Sequence, residues 1–531
     1  MKPTFASVLS RIGFTEEVTQ RFAHIILPFE PMPHQVEGLR QALSKPRFGL
    51  FFEPRTGKTL VLQLTAIFYA YYGTTTMQLM PPGLFYQFRR DYDEIKNHGL
   101  KIEIFSAGPS VRSQKLMDWK SGKEARPHVI LLSKEIFKKH KQMLPEAGYT
   151  HLHFDECHKG LQGGLGTRSS KGSETARAVK AFISSDLTRK LVLSTGTPIP
   201  TNIENAFTTV SLLNPKAYRN QDAFNTLHCV YGRVFVPGLT GPRQISVVQG
   251  YKNLGALSLA LYENGIHASQ RDVLNLEAPN IQIVEVKLTG THAALYRKIV
   301  KDQVLTMPDG TLLDARKPQK RRQVALQMIT SPERYSKHIN ENAVFSTLTA
   351  LTDTVDLSEN KVVIFADYVA SVEAIADHFK KHHPAIVYGP NGPEKNAQEI
   401  ERFRNTSCPL AIINFEAGGA GFKLGDVCTT VIYAEPTSSP GTFHQSLSRV
   451  LLKGQEKPVV AYILKVVGTL SPIAIEAMMN KHFNISKVMQ DENSLLEALT
   501  GKTSVLEDPR FHIEEVDEKL SEANQMEEDL A

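Results

Sequence analysis

Two stretches of the chain repeat one pattern: a short apolar run, a turn, then a longer segment whose apolar residues recur at helical spacing. In the first stretch the short runs are Gly49–Phe52, Met77–Met80, Val129–Leu132, His151–Phe154 and Lys190–Ser194. In the second they are Val362–Phe365, Ala385–Tyr388, Leu410–Phe415, Thr430–Ala434 and Pro458–Leu464. Short, mostly apolar runs of this kind predict strands buried on both faces. Alternation with amphipathic helices predicts parallel sheets. The chain therefore reads as α/β, with two tandem parallel-sheet domains at residues 31–215 and 343–490. A helical lead-in, residues 1–30, runs toward Pro28, Pro31 and Pro33. Between the domains, residues 216–342 turn mostly helical and richer in Gly, Pro and Lys, and they read as an insertion and linker. Residues 491–531 form a polar, acidic tail expected to be partly disordered.

The length of 531 residues fits about three domains of ~150 residues each. No apolar run approaches the ~18 residues of a membrane span, and the N-terminus has no signal-peptide pattern, so a cytoplasmic protein (host cytoplasm if viral) without membrane contact is expected. The cysteines, Cys157, Cys229, Cys408 and Cys428, form no C-x-x-C pair. That argues against a zinc site or disulfide framework and fits a reducing compartment. Net charge is +6, unevenly spread. From Glu507 onward there are ten acidic and two basic residues, a net −8, which leaves +14 on the rest of the chain. A basic body suits a polyanionic partner, and the acidic tail suits a protein partner or a solvated surface.

Gly49–Phe52 is followed by Glu53-Pro54-Arg55-Thr56-Gly57-Lys58-Thr59 and then by a helix reaching about Tyr72. Strand, tight loop and helix start are the layout that cradles phosphates. Backbone N–H groups and the helix dipole face the anion, and Lys58 adds a mobile positive charge. Thr59 would offer its hydroxyl to Mg²⁺, and Gly57 permits close backbone approach. Phe52 stands where the full phosphate-loop pattern has its first Gly. Downstream, His151–Phe154 runs into Asp155, Glu156, Cys157 and His158. A carboxylate at a strand's end can hold Mg²⁺ through water, and the next can orient an attacking water, so Asp155 and Glu156 are the candidates. His158 is a candidate for coupling.

Taken in order, these segments resemble the superfamily 2 helicases, most closely their Swi/Snf-like branch of double-stranded DNA translocases, over about Pro31 to Met489. Pro33-His34-Gln35 resembles the Q motif, which implies that Gln35 reads adenine. Glu53 to Thr59 resembles motif I, implying nucleotide contacts from Arg55, Thr56, Gly57, Lys58 and Thr59. Leu79 to Pro82 with Gln87-Phe88 is similar to motif Ia, implying a DNA-strand contact at Pro81. Val129 to Phe137 is similar to motif Ib, and Asp155 to His158 to motif II. Ser194-Thr195-Gly196-Thr197-Pro198 through Asn202, then Ser211-Leu212-Leu213-Asn214, resembles motif III of the Swi/Snf branch, implying that Thr195 and Thr197 couple phosphate occupancy to the domain interface. Phe415 to Gly421 is similar to motif V. The motif V glycines imply close backbone approach to a DNA phosphate or the nucleotide, with Gly421 a nucleotide contact, and Gln445 to Arg449 with Gly454-Gln455 is similar to motif VI, implying a nucleotide contact from Gln445.

The chain departs from motif VI at Leu452, which occupies the family's second arginine position. Arg449 is therefore expected to carry the transition-state contact, with Lys453 auxiliary. Pro440 matches a proline of the family pattern, but Ser438 and Ser439 replace its tryptophan and asparagine. Lys320 to Pro332 resembles the helix that precedes the second domain.

The resemblance implies two RecA-like domains, ATP and Mg²⁺ as cofactors, and DNA, duplex or branched, as partner to a monomeric motor in replication, recombination or repair. The basic group Arg316, Lys317, Lys320, Arg321 and Arg322 is placed to meet phosphates without reading sequence. The single tryptophan, Trp119, offers no obvious stacking platform for single strands, which favours duplex tracking. The alternatives are an RNA helicase, which motif III disfavours, and an ATP-gated binding module of a larger assembly.

Overall fold

The computed structural model describes residues 2–165, 172–236, 243–274, 276, 279–339, 341–417, 422–437, 439–452, 455 and 457–489. The tail 491–531, Gly421, Lys453 and Gly454 lie outside the described residues. Two compact units divide the chain. One holds the chain up to His228, residues 252–274 and the last described residues from Lys487; the other holds Cys229–Tyr251 and residues 276–486. Among the described residues no helix is long and apolar enough to cross a membrane.

The strands in chain order are β1 (Arg47–Phe52), β2 (Thr76–Leu79), β3 (Ile102–Ile104), β4 (Val129–Leu132), β5 (His151–Asp155), β6 (Lys190–Ser194), β7 (Cys229–Val236), β8 (Arg243–Tyr251), β9 (Gly265–Ala268), β10 (Asn280–Lys287), β11 (Val304–Thr306), β12 (Leu312–Asp314), β13 (Lys361–Ala366), β14 (Ala385–Val387), β15 (Leu410–Asn414), β16 (Cys428–Tyr433) and β17 (Val460–Val467). The first unit's sheet has the order β3-β4-β2-β5-β6-β1-β9, with every pair parallel. Its central strands are buried along their length, as an apolar run covered by helices on both faces requires. The helix Lys58–Tyr71 buries all but two of its residues, so it is a core helix. The lead-in is part of this core: Phe5, Val8, Leu9 and Phe22 are buried, and the Phe22 ring stacks on Phe68 with centroids 5.4 Å apart.

The second sheet has the order β10-β17-β16-β13-β15-β14, again all parallel. Phe365, Phe415 and Tyr433 stack under it with centroids 5.5 to 5.9 Å apart. The stretch read as a helical insertion carries helices, but it also supplies an outer strand to each sheet, β9 to the first and β10 to the second, and the antiparallel hairpin β7–β8. The reason is local. β9 is only four residues long, and β10 is an edge strand whose mixed exposure gives no apolar run.

In both sheets the loops that follow the strands' C-terminal ends share one edge. Ligands of open parallel sheets bind there.

Candidate active site

β1, β6 and β5 are neighbours, in register Leu50 with Ser194 and Ser194 with Asp155. This pairing brings the loops after all three to one place. The loop after β1 turns tightly because Thr56 donates both its N–H (3.3 Å) and its hydroxyl (2.8 Å) to the Glu53 carbonyl. Arg55 and Gly57 take left-handed backbone, φ 68° and 86°. The left-handed backbone at Gly57 is strained for any side chain, and a Cβ there would also displace the Gln35 amide nitrogen, 1.8 Å away. Lys58 opens the helix, and its Nζ donates to the Phe52 carbonyl at 2.7 Å. The ammonium thus spans the mouth of the loop, resting on the strand that precedes it.

Gln35 is spent on building this loop. Its Oε1 accepts from Met32 N–H (2.8 Å) and its Nε2 donates to the Thr56 carbonyl (3.2 Å), where His34 Nε2 also stands at 2.7 Å. Burial holds the His34 imidazole below its ordinary pKa, so the neutral ring must carry its proton on Nε2 to donate there. The far side is braced by a segment the sequence did not point to. β9 pairs with β1, Glu53 N–H donates to the Ala268 carbonyl (3.0 Å), and the Glu53 carboxylate accepts from Gln270 N–H at 2.7 Å. The buried Gln270 Nε2 has no hydrogen-bond partner.

Asp155 ends β5, buried, and accepts from the Ser194 hydroxyl at 2.9 Å. Burial, then the neighbouring Glu156 charge, push its carboxyl up, while the nearby Lys58 ammonium opposes them. A buried carboxylate held next to a second one is stabilised by added positive charge, which suits a divalent ion. Glu156 is left-handed at φ 47°, a strained placement for a non-glycine residue. Its Oε2 stands 3.4 Å from His158 Nδ1. That Nδ1 is also 2.8 Å from Thr195 Oγ1 and 3.3 Å from Thr197 Oγ1. Burial lowers His158 to about 4, so the ring is a neutral hydrogen-bonding hub and no ion pair forms with Glu156. Thr197 N–H donates to Thr195 Oγ1 at 3.0 Å, tightening the turn. Gly196 lets that turn lie on the phosphate loop, since a Cβ there would meet Pro54 Cδ at 2.9 Å and Glu53 Cα at 3.0 Å. Thr59 is half-buried in the first helical turn, and Pro81 follows β2 on the same sheet edge.

The other expected residues belong to the second unit. Arg449 closes the helix Pro440–Ser448. Its guanidinium lies 4.7 Å from the Phe422 ring centroid, and its Nη1 donates to the Phe422 carbonyl at 3.2 Å. Gln445 is half-buried on that helix. The Leu452 N–H donates to Gln455 Oε1 (2.9 Å), whose amide nitrogen donates to the Gly425 (2.9 Å) and Val450 (2.8 Å) carbonyls, so this stretch is fixed by backbone contacts. Of the basic group, Arg316 makes a two-point contact with Asp314 (3.0 and 2.7 Å), Lys317 caps the helix Pro318–Thr330, and Lys317 and Lys320 are exposed.

A group that sequence reasoning missed is Glu435, just after β16. It is buried and accepts from the Ser371 hydroxyl (2.6 Å) and from the N–H groups of Asp367 (2.8 Å) and Tyr368 (3.2 Å). Burial pushes it up to about 7, and Asp367 beside it to about 6. The available signal was an acid ending a buried strand, the position Asp155 holds in the first unit.

Residues 92–341 match the SNF2-related domain and residues 344–453 the helicase conserved C-terminal domain. The chain belongs to the Swi/Snf-like superfamily 2 helicases. An uncharacterized ATP-dependent helicase of Bacillus subtilis, YqhH, is 22% identical over 89% of this chain and 82% of its own length. The CHD3-type chromatin-remodeling factor CHR7 of Arabidopsis thaliana is 22% identical over 70% of this chain, and a RAD54-like DNA repair and recombination protein of Drosophila virilis is 24% identical over 26%. The chain spans only 30% and 18% of the lengths of those two proteins. The loop after β1 precedes the matched SNF2-related segment, so the family match does not extend to it.

Proposed function

We propose that the chain is an ATP-driven motor on duplex or branched DNA, working as a monomer in replication, recombination or repair, and that the loops after β1, β5 and β6 form its hydrolytic centre. One observation carries the reading: Lys58, Asp155, Glu156, His158, Thr195 and Thr197 converge within one unit at the C-terminal edge of three adjacent strands. The family supplies the rest, a nucleic-acid-dependent ATPase of helicase type.

The residues fit a nucleotide with Mg²⁺. Thr59 and Asp155 would hold the ion, and the backbone of Arg55 to Gly57 with Lys58 would cradle phosphate. The ion would neutralise charge that develops as the terminal phosphate leaves. Lys58 trades the Phe52 carbonyl for phosphate, which a charge-assisted bond favours. Glu156 orients a water, and its strained backbone holds the carboxylate aimed. His158, neutral, bonded through Nδ1 to the Thr195 and Thr197 hydroxyls and packed beside Glu156, passes a displacement of Glu156 to the turn after β6. Arg449 supplies the transition-state cation, and Gln445 and Gly421 complete the second unit's contribution. Pro81 and the basic group, with Lys317 and Lys320 exposed, meet the DNA backbone. The acidic tail competes with DNA for this surface or binds a protein.

The test is hydrolysis measured with single-stranded, duplex and branched DNA and with RNA. Stimulation by duplex or branched DNA supports the proposal. Stimulation by RNA alone moves it to RNA, and no stimulation by any of them leaves a gated binding module.

A further inference from the structure

The hairpin β7–β8 belongs to the second unit but adds no strand to its six-stranded sheet. Its register sets Tyr231 opposite Val248, Arg233 opposite Ser246 and Phe235 opposite Gln244. Side chains alternate across a strand, so these six share one face. Exposure follows the same alternation. Tyr231 is 46% and Phe235 61% exposed, and Arg233 between them is exposed, whereas Gly232 and Val234 are half-buried and Val247 is buried. The register skips Gln249 at the step from Val230 to Tyr231, a bulge that increases the hairpin's twist where the aromatic row begins.

This face is therefore an aromatic–cation–aromatic row. The aromatic rings are set roughly 13 Å apart along an extended strand, with the guanidinium midway. Charge narrows the occupant. Residues 229–251 contain Arg233 and Arg243 and no Asp or Glu. Across the row Val248 faces Tyr231, while Arg233 and Phe235 face Ser246 and Gln244, which are polar and uncharged, so a partner that only buries apolar surface is poorly matched. Alternating π-faces and positive charge match alternating bases and phosphates. Duplex DNA hides its base faces in the stack, and only unpaired nucleotides present them. Trp119 is buried, so this platform is built from Tyr and Phe, which reach the surface through the hairpin.

We propose that the Tyr231–Arg233–Phe235 face of β7–β8 binds unpaired nucleotides of single-stranded DNA, the two rings stacking on bases and Arg233 meeting a phosphate. The protein then prefers forked DNA to a blunt duplex. The proposal rests on the DNA-motor reading and specifies its substrate.

The test compares binding of the full chain to a duplex with two oligo-dT arms and to a blunt duplex of the same paired length, by fluorescence anisotropy. Wild type binds the fork more tightly. Tyr231→Ala with Phe235→Ala weakens fork binding about tenfold or more, as loss of base stacking predicts. Blunt-duplex binding and blunt-duplex-stimulated hydrolysis stay unchanged. Phe235→Tyr keeps the preference, whereas Phe235→Leu, which retains apolar area without a π-face, loses it. Arg233→Ala makes the salt dependence of fork binding shallower by about 0.7 in log–log slope. Thermal melts accompany the binding measurements, and the tenfold loss is read only from variants that melt as wild type does, Phe235→Leu at the more exposed ring among them. Equal wild-type affinity for fork and blunt duplex, an unaffected double variant, or full retention by Phe235→Leu overturns the proposal. Failure of the motor reading looks different: wild-type hydrolysis then ignores every nucleic acid.

Discussion

At the strand ends of the first unit, Asp155 is buried with a Ser194 hydroxyl and a second carboxylate for company, while Lys58 rests on a carbonyl of its own loop. At the corresponding edge of the second unit, Glu435 accepts from a hydroxyl and two backbone N–H groups and ties the loop after β13 to the end of β16. The chemistry is the same, an acid at the C-terminal end of a buried strand, and its use differs. In the first unit a second carboxylate and a lysine ammonium stand beside the acid, the grouping proposed to meet a charged ligand. In the second the acid is saturated by its own fold. Burial and a raised pKa alone would nominate both as functional. The identity of the donors separates them.

The largest effects expected from breaking this contrast are on turnover. Lys58→Ala and Glu156→Gln should each lower DNA-stimulated hydrolysis by about a thousandfold or more, with Glu156→Gln still binding ATP. Unfolding of the first unit should be little changed. Wild-type turnover in either variant removes the assignment. Arg449→Ala should follow, approaching the ~10³-fold lower limit for loss of a transition-state cation, with ATP binding intact. Full activity would place that cation elsewhere.

Glu435 should behave oppositely. Glu435→Ala leaves the buried Ser371 hydroxyl and two half-buried N–H groups without their acceptor and should destabilise the second unit by about 3 kcal/mol. Hydrogen exchange in β13 and β16 would report this. A drop in turnover with unchanged exchange would make Glu435 functional instead.

A smaller effect concerns pH. The Glu435 carboxyl is raised from 4.5 to about 7, so the folded state favours its protonated form. Its contribution is fully present below about pH 4.5 and lost as pH rises through about 7, a span worth up to about 3 kcal/mol. The stability of wild type relative to Glu435→Gln should therefore rise as pH falls across that window. A constant difference would mean that the carboxyl does not titrate there.

The sequence made the strands legible wherever an apolar run was buried on both faces, as in β4 and β16. It hid β10, which is half-exposed at a sheet edge, and the hairpin, whose alternation was read within a helical stretch. The loop proposed to hold phosphate was legible as a strand–loop–helix because its signal is local: Gly57, Lys58 and Thr59 are consecutive, and a strand precedes them. Its brace was not, because Glu53 and Gln270 are 217 positions apart and the bond joins a side chain to a backbone N–H, which leaves no residue pattern. Glu435 was hidden for the same reason, since only the tertiary fold reveals that its three donors surround it.

The pairing of β1 with β9 and the Glu53–Gln270 bond also set an order of events when the chain is made. The phosphate loop emerges from the ribosome early, but its outer strand follows only 217 residues later, roughly 10–40 s at 5–20 residues per second. Until then β1 is an open edge with unpaired backbone groups, a site for non-native pairing. Contacts this distant in sequence also slow folding, because the intervening chain must be closed before they form. Nucleotide-binding competence should therefore appear late in synthesis: nascent chains stalled before Gln270 emerges should bind nucleotide weakly, although every consecutive residue of the loop is already exposed.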